Sequence, residues 1–256
     1  MDTILQVSSL GFEYQTRQTT VEVIRDLSMT VCRGEFISVV GPSGCGKSTL
    51  LDLICGLQKP VSGSVCFEGK AVEGTSTKIG YMLQKDHLFE WRSIERNVML
   101  GPEINRKKRN TQKQAEDFLN KYDLSAFSHS KPSQLSGGMR QRAALIRTMM
   151  MHPKLLLLDE PFSALDYQTR LTVCNDIWTI LKETEKTAIL VTHDLAEAIS
   201  TGDRVLILSK RPTRIEKEIP FDPEFQRLSP IERRKDPRFN QYFQILWEVF
   251  SHDSYQ

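Results

Sequence analysis

Gly41-Pro42-Ser43-Gly44-Cys45-Gly46-Lys47-Ser48-Thr49 is the stretch on which the fold turns. It matches G-x-x-x-x-G-K-[ST] in full. The apolar run Phe36-Ile37-Ser38-Val39-Val40 precedes it, and the helix-like Leu50-Leu51-Asp52-Leu53-Ile54-Cys55 follows. A glycine-rich turn between strand and helix lets successive backbone N–H groups close around phosphate oxygens. The helix start aims its positive dipole end at the same anions. Lys47 adds a point charge near the outer phosphates, and the Ser48 hydroxyl suits Mg²⁺. Cys45 reads as a small filler. The loop therefore predicts a nucleoside triphosphate site.

A second stretch narrows the chemistry. Leu155-Leu156-Leu157-Leu158-Asp159-Glu160 is an apolar strand ending in two acids. Ligands of parallel sheets gather at the carboxyl ends of strands. Asp159 is placed to hold Mg²⁺, through water, and Glu160 to polarise an attacking water as general base.

Outward from these motifs, the chain divides into regions. Residues 1–88 carry short strand-like runs: Ile4–Val7, Phe36–Val40, Ser64–Phe67 and Ile79–Met82. Residues 89–152 read as helical, with Thr111–Tyr122 amphipathic through Ala115, Phe118, Leu119 and Tyr122. From 153 the pattern alternates: Leu155–Leu158, a helix over Arg170–Lys182, Ala188–Val191 and Val205–Leu208. Continuous apolar runs of that kind are strands buried on both faces of a parallel sheet. The fold class is α/β with a mainly parallel sheet. Residues 1–88 and 153–210 are expected to form the nucleotide-binding core, 89–152 a helical subdomain, and 211–256 a C-terminal extension. In that extension five prolines punctuate a charged segment before the apolar patch Phe239, Tyr242, Phe243, Leu246, Trp247 and Phe250. The patch predicts a helix docked on the core, with a partner-binding tail as the alternative.

Composition agrees with a globular chain and excludes several classes. The 256 residues hold 34 Lys+Arg and 32 Asp+Glu, a net charge of +2, with 39% hydrophobic and 26% charged residues. That is too apolar for disorder. No run approaches the ~18 apolar residues of a transmembrane helix, and Met1–Gln6 lacks a leader pattern. Five cysteines without a C-x-x-C pair argue against disulfides or structural zinc. Arg106-Lys107-Lys108-Arg109 reads as a solvated loop.

Leu135-Ser136-Gly137-Gly138-Met139-Arg140-Gln141-Arg142 is another helix start suited to an anion: Ser136 is a good N-cap and two glycines leave N–H groups open. Two such starts either meet at one nucleotide or serve two copies of the chain.

Here the motifs resemble those of the ATP-binding-cassette (ABC) ATPases, a branch of the P-loop NTPases. The phosphate loop, the Leu135–Gly138 signature and Leu157-Leu158-Asp159-Glu160 stand in that family's order. So do Ser163-Ala164-Leu165-Asp166, similar to its D-loop, and Thr192-His193-Asp194, similar to its switch histidine. Gln84 resembles the Q-loop glutamine. Tyr14 resembles the aromatic that stacks on adenine, with Phe12 as a rival. The resemblance implies an N-terminal antiparallel β subdomain and a head-to-tail dimer. Each ATP would lie between Tyr14 and Gly41–Thr49 of one copy and Ser136, Gly137 and Gly138 of the other. Lys47, Ser48, Gln84 and Asp159 would handle phosphates and Mg²⁺; Ser48, Gln84 and Asp159 are the expected metal set. Glu160 would act as base, His193 on the γ-phosphate, and Asp166 across the dimer.

The resemblance further implies transport. The family's DNA-repair and chromosome members, the other functional reading, carry a long coiled coil or zinc ligands between phosphate loop and signature; neither pattern is present in 89–152. The implied setting is the cytoplasmic face of the cell membrane, on a separate permease, with an extracytoplasmic solute-binding protein acting indirectly and no nucleic acid. Leu88-Phe89-Glu90-Trp91-Arg92 and Ser209–Ile215 resemble the nitrate, sulfonate and taurine importers. Phe89 and Trp91 are either core of the helical region or part of a permease groove.

Overall fold

The computed structural model describes residues 2–15, 19–106 and 110–252. Lys107, Lys108 and Arg109 of the basic run, and Met1, lie outside the described residues.

The chain opens with two long strands, β1 (Thr3–Gln15) and β2 (Thr20–Cys32), then β3 (Phe36–Val40) and α1 (Lys47–Ile54). There follow β4 (Ser62–Phe67), β5 (Lys70–Ala71) and β6 (Ile79–Met82). Four helices come next: α2 (Ile94–Val98), α3 (Leu100–Ile104), α4 (Thr111–Lys121) and α5 (Gly137–Met149). Then come β7 (Leu155–Asp159), α6 (Tyr167–Glu183), β8 (Thr187–Thr192), α7 (Leu195–Thr201) and β9 (Arg204–Leu208). The chain ends with β10 (Ile215–Pro220), α8 (Pro223–Gln226), α9 (Pro230–Arg233) and α10 (Pro237–His252).

Six strands form one sheet in the order β10-β9-β3-β8-β7-β6, parallel except for β10 at its edge. Its central strands alternate between two cores. Leu155 and Leu157 face the core shared with α1 and the antiparallel strands, whereas Leu156 and Leu158 face α5 and α6. All four leucines are fully buried. Burying a leucine contributes roughly 1.5–3 kcal/mol, so this run fixes β7 at the middle of the fold.

A second sheet, β2-β1-β4-β5, is antiparallel. Its extent exceeds the sequence expectation, which placed a strand at Ile4–Val7 and none over 20–32. A signal was there: Leu27, Met29 and Val31 are buried and alternate with exposed Ser28 and Thr30. Glu68, in the β4–β5 turn, ties this sheet to the parallel one. It pairs with Arg33 after β2, Lys78 before β6 and Lys154 before β7.

The apolar patch of 239–250 forms α10. Leu246 is buried, and Phe239, Tyr242, Phe243 and Phe250 pack on the cluster of α7 and β9; Trp247 is 57% exposed. Arg233 clasps the segment to the core. Its fully buried guanidinium donates to the carbonyls of Leu228, Ile199, Gly202 and Gln226 and lies over the rings of Trp178 and Phe225. Burial pulls its pKa down to about 10, which still leaves it charged at neutral pH.

Salt-bridge hydrogen bonds from Lys154, Lys78 and Arg33 hold the Glu68 carboxyl at about 2, against an ordinary 4.5. A lowered carboxylate pKa stabilises above the ordinary value and loses that contribution as pH falls towards the folded one. At pH 7, Glu68→Gln should lower the melting temperature by roughly 2–4 °C. In melts taken stepwise to lower pH, the gap from the wild type should narrow below 4.5. A gap that widens on acidification would contradict the network.

Candidate functional site

Strand register assembles the site. Val40 of β3 pairs with Thr192 of β8 and Ile207 of β9; Asp159 of β7 pairs with Val191; Met82 of β6 pairs with Leu158. Gly41, Gln84, Glu160 and His193 therefore leave the sheet within two residues of one carboxyl edge.

The phosphate loop runs from Gly41 to α1. Gly46 takes φ +122°, and a Cβ there would meet Val23 Cγ1 at 2.8 Å, so glycine is required. Lys47 is buried, and its ammonium donates to the carbonyls of Gly41 (2.8 Å) and Pro42 (3.0 Å). Cys45 is buried, and burial pushes its thiol pKa up, which suits an inert filler. A cavity of about 200 Å³ opens here, lined by Gly44, Lys47, Ser48, Thr49, Glu160 and Arg211 among others. Larger clefts exist elsewhere, such as one of about 460 Å³ beside Glu68. Chemistry, not volume, marks the site.

Asp159 is buried near that cavity, and burial raises its pKa against the opposing pull of the nearby Ser48 hydroxyl. Tyr81 Oη also donates to Asp159 Oδ2 at 3.4 Å. A carboxylate and a hydroxyl oxygen near one another at the phosphate loop fit Mg²⁺, a hard cation that takes oxygen ligands.

Glu160 sits at φ +44°, a left-handed conformation that is uncommon outside glycine. Its N–H donates to Val191 O (2.8 Å), and its carbonyl accepts from Ser163 N (3.2 Å) and Ser163 Oγ (3.0 Å). The carboxylate is thereby turned back over the cavity, where Oε2 meets Gln84 Nε2 at 3.3 Å and His193 Nδ1 at 3.1 Å. Three residues far apart in sequence converge on one oxygen. Gln84 is tied to the cluster a second time, through Ser163 Oγ (3.4 Å).

Of the two N-terminal aromatics, Phe12 is buried. Tyr14 is 41% exposed, edge-on to Phe12, with its hydroxyl 3.4 Å from Thr49 Oγ1. Tyr14 is thus the ring with an open face beside the phosphate loop.

Ser136 N-caps α5 by accepting from Met139 N (3.4 Å), as its sequence predicts. None of Ser136, Gly137 and Gly138 lines the cavity of their own chain. Gly138 carries a packing duty the sequence did not reveal: a Cβ would stand 2.8 Å from Thr169 Cγ2 of α6. Asp166 is exposed and N-caps α6 through Thr169 N (3.1 Å), a role not read from the sequence.

Several positioning residues carry no local sequence signal. Arg170 donates to Leu165 O (3.0 Å) and Asp194 Oδ2 (3.3 Å), joining the Asp166 turn to the residue after His193. Asp86 accepts from Arg140 Nε (2.8 Å), while Arg147 donates to the carbonyls of Asp86 (2.6 Å) and His87 (2.7 Å). The Gln84 loop is thereby fastened to α5. Buried Asn97 bonds Phe89 N and the carbonyls of Phe89, Arg92 and Ser93. That staple leaves Trp91 73% exposed, stacked on half-buried Phe89 at 4.7 Å.

Comparison with known proteins gives a consistent result. The family profile described as ABC transporter matches residues 24–163. An ABC transporter ATP-binding protein of Bacillus subtilis (strain 168), YtlC, is 43% identical over 95% of this chain and 94% of its own. The taurine import ATP-binding protein TauB of Pelagibacter ubique is 41% identical, covering 79% of this chain and 77% of its own. The aliphatic sulfonates import ATP-binding protein SsuB of Bacillus licheniformis is 37% identical, covering 90% of each. A solved dimer of the ATP-binding cassette MJ0796, bound to ADP and Pi, superposes with a TM-score of 0.75. It is 27% identical and covers 86% of this chain and 99% of its own. The chain belongs to the ABC transporter family, as one of its ATP-binding, Mg²⁺-using ATPase subunits with a P-loop NTPase α/β fold.

Proposed function

We propose that this chain drives import of a small sulfonate-like solute, working as a head-to-tail pair beneath a separate permease. The observation that carries the catalytic part is the meeting of Gln84, Glu160 and His193 at the rim of the cavity that holds Lys47 and Ser48. Phosphoryl transfer chiefly needs positioning and charge stabilisation, and each residue has a part in that. Gly41–Thr49 cradle the phosphates with backbone N–H groups. Lys47 moves its ammonium from loop carbonyls to phosphate oxygens. Ser48, Asp159 and Gln84 would hold Mg²⁺, which supplies charge neutralisation on the phosphates when bound. Glu160 accepts the proton of the attacking water. His193, hydrogen-bonded to Glu160, is oriented towards the γ-phosphate. Tyr14 offers its open face to adenine, a contact that aromatic stacking makes without strict sequence demands.

The pairing proposal follows from the second helix start. Ser136 and Gly137 are exposed and lie outside their own chain's cavity, so the anion they suit is supplied by another copy. Asp166, exposed on the adjoining turn, faces that copy in this arrangement. Membrane association would run through the permease, because no described helix is long and apolar enough to cross a membrane. Trp91, exposed and stacked on half-buried Phe89 beside the Gln84 loop, offers the permease an apolar grip. The solute class rests on the relatives named for taurine and aliphatic sulfonate import. A solute-binding protein would act through the permease, without touching this chain.

Three measurements test this reading. Lys47→Ala should weaken ATP binding about ten- to a hundredfold in calorimetric titration, the loss expected for one charge-assisted contact; unchanged affinity would remove Lys47 from the site. Glu160→Gln should keep ATP binding and slow turnover by about 10²–10⁴; a phosphate-release assay giving wild-type rates would end its role as base. With saturating ATP, the Glu160→Gln chain should double its mass by light scattering. A strict monomer there would overturn the shared site.

A further inference from the structure

The turn between β9 and β10 has been given no part in nucleotide binding so far, yet it lies against the phosphate loop. Register brings it there: Ile207 pairs with Val40, so Ser209–Arg214 emerge at the same sheet edge as Gly41. The turn is held on three sides. Thr213 Oγ1 donates to the carbonyl of Cys45, inside the loop. Thr213 N donates to Val23 O (2.8 Å), and Arg25 N donates to Thr213 O (3.0 Å), which fixes the turn to β2. Ser209 N donates to Arg214 O and Ser209 Oγ accepts from Arg214 N, both at 3.0 Å, closing the turn on itself. Arg211 therefore projects from a rigid base.

Its side chain reaches the loop from outside. Arg211 Nε donates to the carbonyl of Gly44, and a Cβ built on Gly44 would lie 3.7 Å from Arg211 Nη2. Among the described residues, that is the guanidinium's one hydrogen bond, and no carboxylate is in ion-pair reach of it. The arginine is exposed, and it lines the same cavity as Lys47, Ser48 and Glu160. A guanidinium has five donors in a fixed fork. One is spent on Gly44, and the fork's remaining edge is free for oxyanion oxygens. Arg211 shares that cavity with Glu160, the residue proposed above to act on the attacking water.

We propose that Arg211 is a further nucleotide ligand of this chain, reaching from the β9–β10 turn to bind the terminal phosphate of a nucleoside triphosphate. The inference rests on the phosphate-site reading of Gly41–Thr49. In this arrangement Lys47 supplies charge from within the loop and Arg211 supplies a second, directional cation from the β9–β10 turn. The Gly44 contact sets the guanidinium's plane, so the loop and the arginine are ordered together.

The test is equilibrium binding of ATP and ADP to the full-length chain without Mg²⁺, where hydrolysis is suppressed, for wild type, Arg211→Gln, Arg211→Lys and Lys47→Ala. Arg211→Gln should weaken ATP about three- to tenfold and ADP by less than about twofold. Arg211→Lys should recover much of the loss, because it restores the cation. The melting temperature without nucleotide should hold in both. If Arg211→Gln binds ATP as the wild type does, the assignment is wrong. It is equally wrong if ATP and ADP weaken together and lysine rescues neither, because Arg211 then only braces the Gly44 carbonyl. Failure of Lys47→Ala to weaken ATP would instead overturn the phosphate-site reading beneath it.

Discussion

The parallel register of β6, β7, β8, β3 and β9 is the constraint on which the site depends. Side chains in a strand alternate faces, so a slip of one residue would exchange the two cores and retract each motif from the edge. The fully buried run Leu155–Leu158, with β6 and β8 on either side, makes such a slip costly on both faces at once. Hydrophobic burial and catalytic geometry are in this sense one specification. The residues that pack the sheet decide where Gly41, Gln84, Glu160 and His193 emerge.

Around that edge the structure stores local strain and then contains it. Glu160 holds a left-handed backbone and Gly46 a conformation closed to other residues. The first would not persist without the Val191 carbonyl and Ser163 that fix it; at Gly46 glycine adopts its φ freely, and the close approach of Val23 excludes any side chain. A left-handed backbone at a non-glycine residue such as Glu160 costs of order 1–3 kcal/mol and survives where the surroundings over-determine it. The antiparallel sheet, β2 above all, is thus part of the phosphate loop's support as well as the platform for Tyr14.

Much of this was legible in the chain, and the division between legible and hidden has a physical cause. Phosphate binding needs particular residue types at fixed spacing, so Gly41–Thr49, Asp159–Glu160 and the Ser136 cap announce themselves. Central strands buried on both faces announce themselves as apolar runs. The extent of β1 was obscured by bulges that break its alternation, including a register shift between Val7 and Leu10. The edge strand β10 was hidden by its charges, as Ile215-Glu216-Lys217-Glu218-Ile219 reads like a loop. Arg170, Arg140, Arg147, Asn97 and Arg233 were hidden for another reason. Each acts through partners distant in sequence or on backbone carbonyls, and neither leaves a pattern along the chain. The Phe12 or Tyr14 ambiguity belongs to the same class, because only packing reveals which ring is covered.

The close approach of Gly138 to Thr169 has a mechanical consequence. With no side chain between them, the start of α5 and the start of α6 press together, and Leu165 packs against Gly137 on the same seam. The turn into α6 begins at Glu160 itself. The start of α5 and the mount of Glu160 are therefore one plate. A push on the start of α5 is thus also a displacement of the Glu160 carboxylate.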